Sequence, residues 1–468
     1  MQIPVLNGVY TDGVSDVRTS YPVNMSPVPK QNGVSNGYLR PADGIVQLGT
    51  GPGIDRGGIN MDGICYRVMG TKLVTIAADG TTTTIGDVGG SGQVSMDYSF
   101  THLAIASSGQ LWLYNKSTLV LAQVTDANLG TCLDVVWVDG YFMSTDGTNL
   151  VVTDLADPFV VNPLKYGSSE IDPDPVVGLL KLRNEVYALN RNTIEVFTNV
   201  GGSLFPFQRI EGGQIQKGSL GAHTACVFEE TIAFIGGGRN EGPSVYIGAH
   251  SQSTRIASRE IDQILESYTE AELVSVVMEE HIDDGLELLF IHLPDQTLVY
   301  DLRSSKIFEE PVWYVLISGL EDKGVYRARN LVYCYDKWLC GDPTSNAHGY
   351  ITDTVSTHYG AIVRWEFGTM MIYNESRGGI VHELELVCLT GRVPLGIEPQ
   401  ISTSYSTDGM VWSQERYVNV GKIGQRNKRI VWFQQGLMSN WRIQRFKGDS
   451  RARISVLRLE ARLEPLAE

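Results

Sequence analysis

The stretch Asp134–Leu155 reads DVVWVDGYFMSTDGTNLVVTDL, and it indicates how most of this chain folds. Three short apolar runs, rich in Val and aromatic residues, are separated by Asp139-Gly140 and Asp146-Gly147. Asp-Gly tolerates the positive φ that tight hairpin turns require, so each pair predicts a turn between antiparallel strands. The stretch is therefore predicted to form a strand–turn–strand–turn–strand unit.

Similar units recur at intervals of roughly 30–60 residues, and we count about seven of them. A single four-stranded sheet leaves two apolar faces exposed, whereas stacking such sheets around an axis buries both. The repetition therefore predicts a β-propeller, with an array of β-sandwiches as the competing arrangement. The uneven spacing leaves the number of blades open. The units begin near Ile64, Leu103, Val135, Leu179, Ala225, Leu286 and Asn330.

One segment, Ser258–Glu280, has its apolar residues at helical spacing instead. Ser258 is a suitable N-cap for a first helix, and Thr269 with Glu272 forms a capping box for a second. We predict a short helical insertion at residues 258–280. It either packs over the rim of the propeller or contacts a neighbouring subunit.

The pattern changes after residue 357, where longer alternating strands predict a separate antiparallel β-sandwich. The predicted organisation is an all-β chain in three parts. Residues 1–60 are an extended segment that packs on or between subunits, residues 61–357 are the β-propeller-like domain, and residues 358–468 are the sandwich.

The composition is typical of a folded protein with a large core, since 43% of the 468 residues are apolar and 19% are charged. A formal net charge of −16 disfavours binding of free nucleic acid by the protein as a whole. The six cysteines form no CxxC pair, so we expect buried free thiols rather than disulfides or zinc ligands. No signal-peptide pattern opens the chain and no apolar run reaches the ~18 residues of a membrane helix, so we expect synthesis in the cytoplasm without membrane insertion.

The charge is unevenly distributed. Residues 416–462 hold twelve Lys/Arg against Asp449 and Glu460, a local charge of +10 that leaves −26 for the rest of the chain. An acidic body with a basic end indicates a docking surface, and a solvated, arginine-rich strand face is the alternative.

No arrangement of residues indicates catalysis, and we predict that the chain is not an enzyme and holds no metal or cofactor. The eight histidines show no HxH or HExxH spacing, and no GxSxG or phosphate-loop motif occurs. A glycosidase needs two carboxylates about 5–9 Å apart in a cleft, but the candidates are all in predicted loops. These candidates are Asp172, Asp174, Asp283 and Asp284.

The segment Ser406–Trp412 (STDGMVW) resembles the Asp-box hairpin of sialidase-type propellers, without one residue of the usual spacing. It motivates the alternative function of a carbohydrate-binding or carbohydrate-cleaving propeller. A plain hairpin turn explains the same residues.

The N-terminal stretch Ser20–Ile45 is dense in Pro, Gly and Asn and has almost no periodicity. It resembles the opening of the tail hub (packaged-DNA stabilisation) family of short-tailed bacteriophages, where a PVNM segment leads to a GYLR element. Further blocks that are similar keep their order to about residue 350. The motif residues are Pro22, Val23, Asn24 and Met25, followed by Gly37, Tyr38, Leu39 and Arg40.

The resemblance implies a structural protein of the phage virion, assembled inside the host cytoplasm. It implies a hexameric hub ring beneath the portal–adaptor complex that extends the DNA channel and stabilises packaged DNA. The head-to-tail adaptor, the tail needle and the tailspikes would be its partners, and DNA would pass without sequence-specific binding.

Basic residues lining such a channel would grip the DNA phosphates. We therefore predict that the basic end faces an acidic protein neighbour, either the adaptor or an adjacent subunit. The residues of this predicted partner interface are Arg426, Lys428, Arg429, Arg442, Arg445, Lys447, Arg451 and Arg453.

Overall fold

The structure is a computed structural model that describes residues 2–6, 8–10, 18–30, 37–283, 285–374 and 378–466. It confirms the predicted fold class, because a β-propeller with a short helical insertion is followed by an antiparallel β-sandwich. The strands described ahead of the first blade are β1 (Gln2–Ile3), β2 (Gly8–Tyr10), β3 (Arg18–Ser20), β4 (Met25–Pro29), β5 (Gly37–Pro41) and β6 (Gly44–Thr50).

The propeller, within the described residues, has seven blades, each a four-stranded antiparallel sheet. Blade 1 contains β7 (Asp55–Met61), β8 (Ile64–Met69), β9 (Lys72–Ile76) and β10 (Thr82–Asp87). Blade 2 contains β11 (Ser95–Tyr98), β12 (His102–Ser107), β13 (Gln110–Asn115) and β14 (Val120–Gln123). Blade 3 contains β15 (Asp134–Val138), β16 (Tyr141–Thr145), β17 (Asn149–Thr153) and β18 (Val161–Ser168).

The remaining blades follow in chain order. Blade 4 contains β19 (Val176–Leu182), β20 (Glu185–Asn190), β21 (Ile194–Asn199) and β22 (Phe207–Ile215). Blade 5 contains β23 (Ala225–Phe228), β24 (Thr231–Gly236), β25 (Ser244–Ala249) and β26 (Gln252–Arg255). Blade 6 contains β27 (Val277–Asp283), β28 (Leu286–His292), β29 (Thr297–Asp301) and β30 (Val312–Leu316). Blade 7 contains β31 (Arg329–Cys334), β32 (Lys337–Gly341) and β33 (Ala347–Thr352), with β6 as its outermost strand.

The seven blades close into a ring around an axis. The first strand of each blade lies beside the first strand of the next, and β31 lies beside β7. Pairing of β6 with β33 completes blade 7 with a strand from the N-terminal side of the propeller, so backbone hydrogen bonds close the ring. Strands inside a blade, such as β16 and β29, are buried along their whole length. They are therefore continuous apolar runs, whereas the outermost β10 is polar and largely open to water.

Carboxylates on the innermost strands tie successive blades together. Asp97 Oδ2 accepts a hydrogen bond from the Trp137 backbone N–H at 2.6 Å, and Lys181 Nζ of the following blade lies 3.1 Å from the same oxygen. Asp134 Oδ2 accepts the Leu179 N–H at 2.8 Å in the same way. These bonds satisfy polar groups near the axis that would otherwise be buried without partners.

The helical insertion consists of α1 (Arg259–Glu266) and α2 (Glu270–Val274), and the predicted N-cap and capping box are present. The insertion packs against blades 5 and 6, with Ile261, Leu265 and Leu273 buried in their core. It ends earlier than the predicted residue 280, because the apolar run beginning at Val276 continues as β27 and pairs with β28. A third helix, α3 (Leu302–Phe308), connects β29 to β30 and had no counterpart in the sequence prediction.

The sandwich consists of two packed sheets, and the N-terminal segment contributes strands to one of them. β1, β4 and β5 join that sheet beside the C-terminal strands β36 and β42, and the other sheet has the order β34-β41-β37-β38 with β35 beside β41. The sandwich strands are β34 (Arg364–Gly368), β35 (Ile372–Tyr373), β36 (Gly379–Cys388), β37 (Gln400–Ser406), β38 (Arg416–Asn419), β39 (Ile430–Phe433), β40 (Leu437–Met438), β41 (Trp441–Asp449) and β42 (Val456–Pro465).

The six cysteines are free thiols, as predicted, and four of them are fully buried. Burial raises the pKa of Cys65 to about 11 and therefore keeps this thiol protonated and unreactive near neutral pH.

A buried histidine of blade 6 gives the fold a specific pH dependence. His281 is 1% exposed and packs edge-on against Trp338 at a centroid distance of 4.8 Å. Neither ring nitrogen has a hydrogen-bond partner in the described structure. Burial lowers the pKa of His281 to about 4, so the unfolded chain binds a proton at a higher pH than the folded chain does. The stability that depends on neutral His281 is therefore fully present above the unfolded-state pKa of about 6.5. It is lost progressively as the pH drops toward 4.

The substitution His281→Phe should remove this pH dependence while keeping an aromatic ring in the same packing. We expect the free energy of unfolding of the variant to stay within about 1 kcal/mol of the parent at pH 7.5. At pH 4.5 the variant should exceed the parent by about 2–3 kcal/mol, because only the parent must keep the imidazole neutral. Urea unfolding at the two pH values measures both numbers, with the exposed His250→Phe as the control. An equal pH dependence in the parent and His281→Phe would contradict the assignment.

Candidate partner interface

The predicted basic interface divides into three environments. Arg426, Lys428 and Arg429 lie in the loop between β38 and β39. A second group is on β41, and a third is in the loop from β41 to β42. The second group contains Arg442, Arg445 and Lys447, and the third contains Arg451 and Arg453.

Arg442 does not lie on a surface, and its place in the predicted interface was wrong. Its side chain is fully buried, and the alternation of β41 directs residues 442, 444 and 446 into the sandwich core. The guanidinium donates hydrogen bonds to Gln444 Oε1 at 2.8 and 3.0 Å and to the Gln435 carbonyl at 2.6 Å, and it stacks 3.9 Å from the Tyr405 ring centroid. Desolvation lowers the pKa of Arg442 to about 10.

Arg453 holds parts of the same chain together. Its guanidinium donates to the carbonyls of Val355 at 2.6 Å, Pro41 at 2.9 Å and Ala42 at 3.2 Å. It therefore connects the end of the sandwich to the N-terminal segment and to the link after blade 7.

Lys447 and Arg445, two further residues of the predicted interface, lie at the joint between the domains. Lys447 lies 3.5 Å from Glu366 and 3.8 Å from Glu415. Arg445 stacks over the Trp412 ring with 4.0 Å to its centroid. Their charges are therefore at least partly engaged inside the subunit.

The other predicted residues meet at one end of the sandwich, where three loops come together. The Thr390 hydroxyl donates to the Arg426 carbonyl at 3.0 Å, which joins the loop after β36 to the loop before β39. The Leu389 N–H donates to the Ser455 carbonyl at 3.1 Å, which adds the loop before β42. We call residues 389–399, 420–429 and 450–455 the loop end of the sandwich.

The loop end combines positive charge with exposed aliphatic side chains. It holds seven Lys/Arg against the single acid Glu398, a local charge of +6. Leu395 is 85% exposed and Ile423 is 54% exposed. In the part of the chain that the structure describes, no carboxylate pairs with the side chains of Arg426, Lys428 or Arg451. The seven basic residues are Arg392, Lys422, Arg426, Lys428, Arg429, Arg451 and Arg453.

Among the exposed loop-end cations, Lys422 lies 3.7 Å from Glu398, and Arg429 is also paired. Its guanidinium bridges Glu383 at 3.0 Å and Glu385 at 2.5 Å on neighbouring β36. Sequence inspection missed Arg392, Lys422 and Leu395 as members of this surface, because only the folded sandwich brings the loop after β36 beside the basic loop. The Gly-rich run GKIGQRNKR was the local signal for an exposed loop.

The PVNM motif joins the propeller to the sandwich. Val23 exchanges backbone hydrogen bonds with Glu366 of β34 at 2.8 and 3.1 Å, while Pro22 and Asn24 bond to Val315 of β30. The Asn24 side chain donates to the carbonyls of Ile317 at 3.1 Å and Arg364 at 2.6 Å and accepts the Ile317 N–H at 3.1 Å. Asn24 adopts a φ of 52°, a left-handed conformation that Asn tolerates better than most residues.

The rest of the motif builds the sandwich sheet. Met25 and Leu39 are fully buried in the sandwich core, and Tyr38 pairs with Val28 across β4 and β5. A Cβ at Gly37 would lie 2.7 Å from the Val28 carbonyl oxygen, so the close approach of β5 to β4 at this point requires glycine. Arg40 forms an ion pair with Asp43 at 3.2 Å.

The residues that motivated carbohydrate chemistry form a turn. The Asp408 carboxylate accepts the backbone N–H groups of Met410 and Val411, each at 2.9 Å, and Ser406 Oγ accepts the Gly409 N–H at 2.8 Å. Gly409 has a φ of 75°, as a tight turn requires. This geometry matches the plain hairpin.

The loop carboxylates Asp172 and Asp174 repel each other electrostatically, and each also contacts another group. Asp172 lies 3.6 Å from Arg239, and Asp174 accepts the Asn192 N–H at 2.6 Å. Asp283 is exposed at the end of β27, and Asp284 lies outside the described residues. Across the residues searched, the structure contains no helix with the length and apolar character needed to span a bilayer.

Comparison with protein families matches the chain from end to end. Residues 1–356 match the family described as Bacteriophage P22 Gp10, beta-propeller, and residues 364–464 match Bacteriophage P22 Gp10, beta-sandwich. The chain is 31% identical over 456 residues to the Tail hub protein gp10 of Salmonella phage P22, which covers 93% of each chain.

The likeness of this chain to the two solved structures named next is weak. The extracellular domain of a putative hybrid two component system from B. thetaiotaomicron has a TM-score of 0.45 at 9% identity, covering 73% of this chain and 43% of that one. The Neurospora crassa Pan2 WD40 domain has a TM-score of 0.42 at 12% identity, covering 67% of this chain and 96% of that one. Likenesses at this level carry no information about function.

Proposed function

The chain belongs to the phage P22 Gp10 family of tail hub proteins, and from this premise we propose that it forms a hexameric ring beneath the portal–adaptor complex. It is a structural component of the phage tail that assembles with other tail proteins. In the proposed ring, the protein extends the DNA channel, stabilises the packaged genome and docks the tail needle and the tailspikes. Its role is mechanical and requires no catalysis.

The observation that carries the docking part of the proposal is the loop end of the sandwich. Exposed cations that no described carboxylate neutralises, beside exposed Leu395 and Ile423, are suited to an acidic neighbour with apolar contacts. We assign this surface to the adaptor or to an adjacent copy in the ring. A ring built from head-to-tail contacts uses two different surfaces of each copy, which fits an acidic body meeting a basic end.

The net charge supports the proposed behaviour toward DNA. At −16 per copy, six copies would present a strongly acidic assembly that repels phosphates. Since basic contacts would add salt-dependent affinity for DNA, an acidic wall lets the genome slide through the channel.

Light scattering of the protein mixed with the portal–adaptor complex of its own phage tests the ring. Six copies bound per complex is the expected result, and a monomer in the absence of the complex would mean that the partner templates assembly. Absence of binding would contradict the ring. In that case, binding or shortening of host surface polysaccharide would identify the carbohydrate-directed alternative.

The triple substitution Arg426→Glu, Lys428→Glu and Arg451→Glu tests the docking surface. We expect binding to the portal–adaptor complex to weaken at least about tenfold, because each reversal places like charges face to face. The control is Arg183→Glu, Arg239→Glu and Lys306→Glu on the propeller, which changes the net charge equally. Arg429 and Arg445 are left intact, since their contacts with Glu385 and Trp412 would confound folding with docking. Equal binding by both triple variants would refute the assigned surface.

A further inference from the structure

A cavity of about 830 Å³ opens at the propeller axis, on the face where the innermost strands begin. Asp55 and Arg56 at the start of β7, His223 just before β23 and Arg329 at the start of β31 contribute to its lining. Much of the wall is apolar, and its apolar residues include Ile54, Val274, Leu293, Pro294, Val325 and Pro343. Its volume is typical of sites that enclose a small ligand or a short segment of another molecule.

Two arginines reach the cavity, and only one of them forms hydrogen bonds within the protein. Arg56 donates to the carbonyls of Gly92, Gly70 and Gly89 and to the Ser107 hydroxyl at 2.6–2.9 Å. The Arg329 guanidinium, by contrast, forms no hydrogen bond or ion pair with any residue that the structure describes. Burial lowers the pKa of Arg329, and the nearby carboxylates of Glu279 and Asp55 oppose only part of this shift.

The carboxylates nearest to Arg329 are committed to other groups. Asp55 is held by Arg67 at 2.7 Å and by the Asn330 side chain at 2.6 Å. Glu279 accepts bonds from His292 Nε2 at 2.6 Å and from the backbone of blade 7. Three arginines, Arg56, Arg67 and Arg329, against these two carboxylates leave one net positive charge beside the cavity.

The neighbouring imidazoles do not change this balance. Burial lowers the pKa of His223 to about 4 and also lowers that of His292, so both rings are neutral near pH 7. A desolvated cation without a partner is costly, and the cost is recovered when an anion pairs with it.

We propose that this cavity binds a carboxylate side chain carried on an apolar segment of another protein, with Arg329 as the partner of the carboxylate. The planar guanidinium fork matches a carboxylate with two parallel hydrogen bonds. The apolar wall supplies area for the aliphatic groups on either side of the acid. Polyphosphates such as DNA are disfavoured, because the protein carries a net charge of −16 and a polyanion would bring many uncompensated charges.

The cavity at the propeller axis shares no residue with the loop end of the sandwich. Binding there requires neither the ring nor the proposed hub function, so the two can be tested separately.

The test uses the full chain and hexanoate as the probe, with binding followed by ligand-observed NMR. We expect saturable binding with a Kd of about 1–10 mM, as suits a ligand of this size. Hexanamide, which has the same shape without the charge, should bind about tenfold more weakly. Arg329→Gln should lower the affinity for hexanoate to that of hexanamide, while the exposed control Arg183→Gln leaves it unchanged.

A second variant covers the case in which Arg329→Gln fails to fold. Val325 is 36% exposed at the cavity, so Val325→Asp should fold and should weaken hexanoate binding by charge repulsion. The proposal is overturned by the absence of saturable hexanoate binding, by equal binding of hexanoate and hexanamide, or by unchanged binding in Val325→Asp. Tighter binding of inorganic phosphate than of hexanoate would also overturn it.

Discussion

Replacement of Arg67 by Met is expected to lower the free energy of unfolding by about 3–5 kcal/mol, because it leaves Asp55 buried without its counter-ion. The Arg67 and Asp55 side chains are 0% and 1% exposed. Arg67 Nε lies 2.7 Å from Asp55 Oδ1 and Nη2 lies 2.9 Å from Oδ2, so the pair is bidentate. Met fills similar volume but cannot compensate the carboxylate.

The position of this ion pair enlarges the effect. Arg67 also donates to the Asn330 carbonyl of blade 7 at 2.9 Å, and the Asn330 amide donates to Asp55 at 2.6 Å. The pair therefore joins blade 1 to blade 7, where the ring closes. Loss of the pair weakens the contact between these blades and leaves blade 7 more dependent on its hydrogen bonds to β6.

Urea unfolding of Arg67→Met and of two companion variants measures the effect. Arg183→Met removes an ion pair in which Arg183 is 66% and Glu230 is 85% exposed, and should leave stability nearly unchanged. The double variant Arg67→Met with Asp55→Leu should regain part of the loss, because no buried charge is left unpaired. A loss no larger for Arg67→Met than for Arg183→Met would disprove the role of the pair.

The propeller could be predicted from the sequence because its signals are local. Asp139 and Gly140 adopt φ values of 47° and 93°, so the Asp-Gly pair forms the turn that its chemistry predicts. The closure of the ring was not predictable in this way. β6 pairs with β33 about 300 residues later, and no periodicity within either segment encodes that partner.

The basic surface, too, could be predicted from the sequence only in part. Counting charges located the basic end of the chain, but counting cannot separate Arg442, which stacks on Tyr405 inside the core, from exposed Arg426. The separation depends on which face of β41 each residue occupies and on which loops meet at the end of the sandwich. The cavity at the axis had no local signal at all, since residues from distant blades build it.

Asn24→Ala is expected to lower the free energy of unfolding by about 3–5 kcal/mol. The substitution removes three side-chain hydrogen bonds at the joint between the domains and leaves two carbonyls and one N–H group without those partners. Each buried group left unpaired costs about 1–3 kcal/mol. The φ of 52° adds to the loss, because the left-handed conformation costs Ala about 1 kcal/mol or more.

Comparison of substitutions at this one position separates the two causes. Asn24→Gly keeps the backbone conformation available and should regain only the conformational part, about 1 kcal/mol, relative to Asn24→Ala. Asn24→Asp keeps the shape but turns the donor toward Ile317 and Arg364 into an acceptor facing two carbonyl oxygens, so it should be at least as damaging as Ala.

Asn346→Ala, which removes an exposed bond to the Gly51 carbonyl, is the matched control and should cost under about 1 kcal/mol. Thermal unfolding measures the loss of stability. Limited proteolysis of the link after blade 7 measures the release of the sandwich. If Asn24→Ala behaved like Asn346→Ala, the PVNM motif would have to act through something other than this joint.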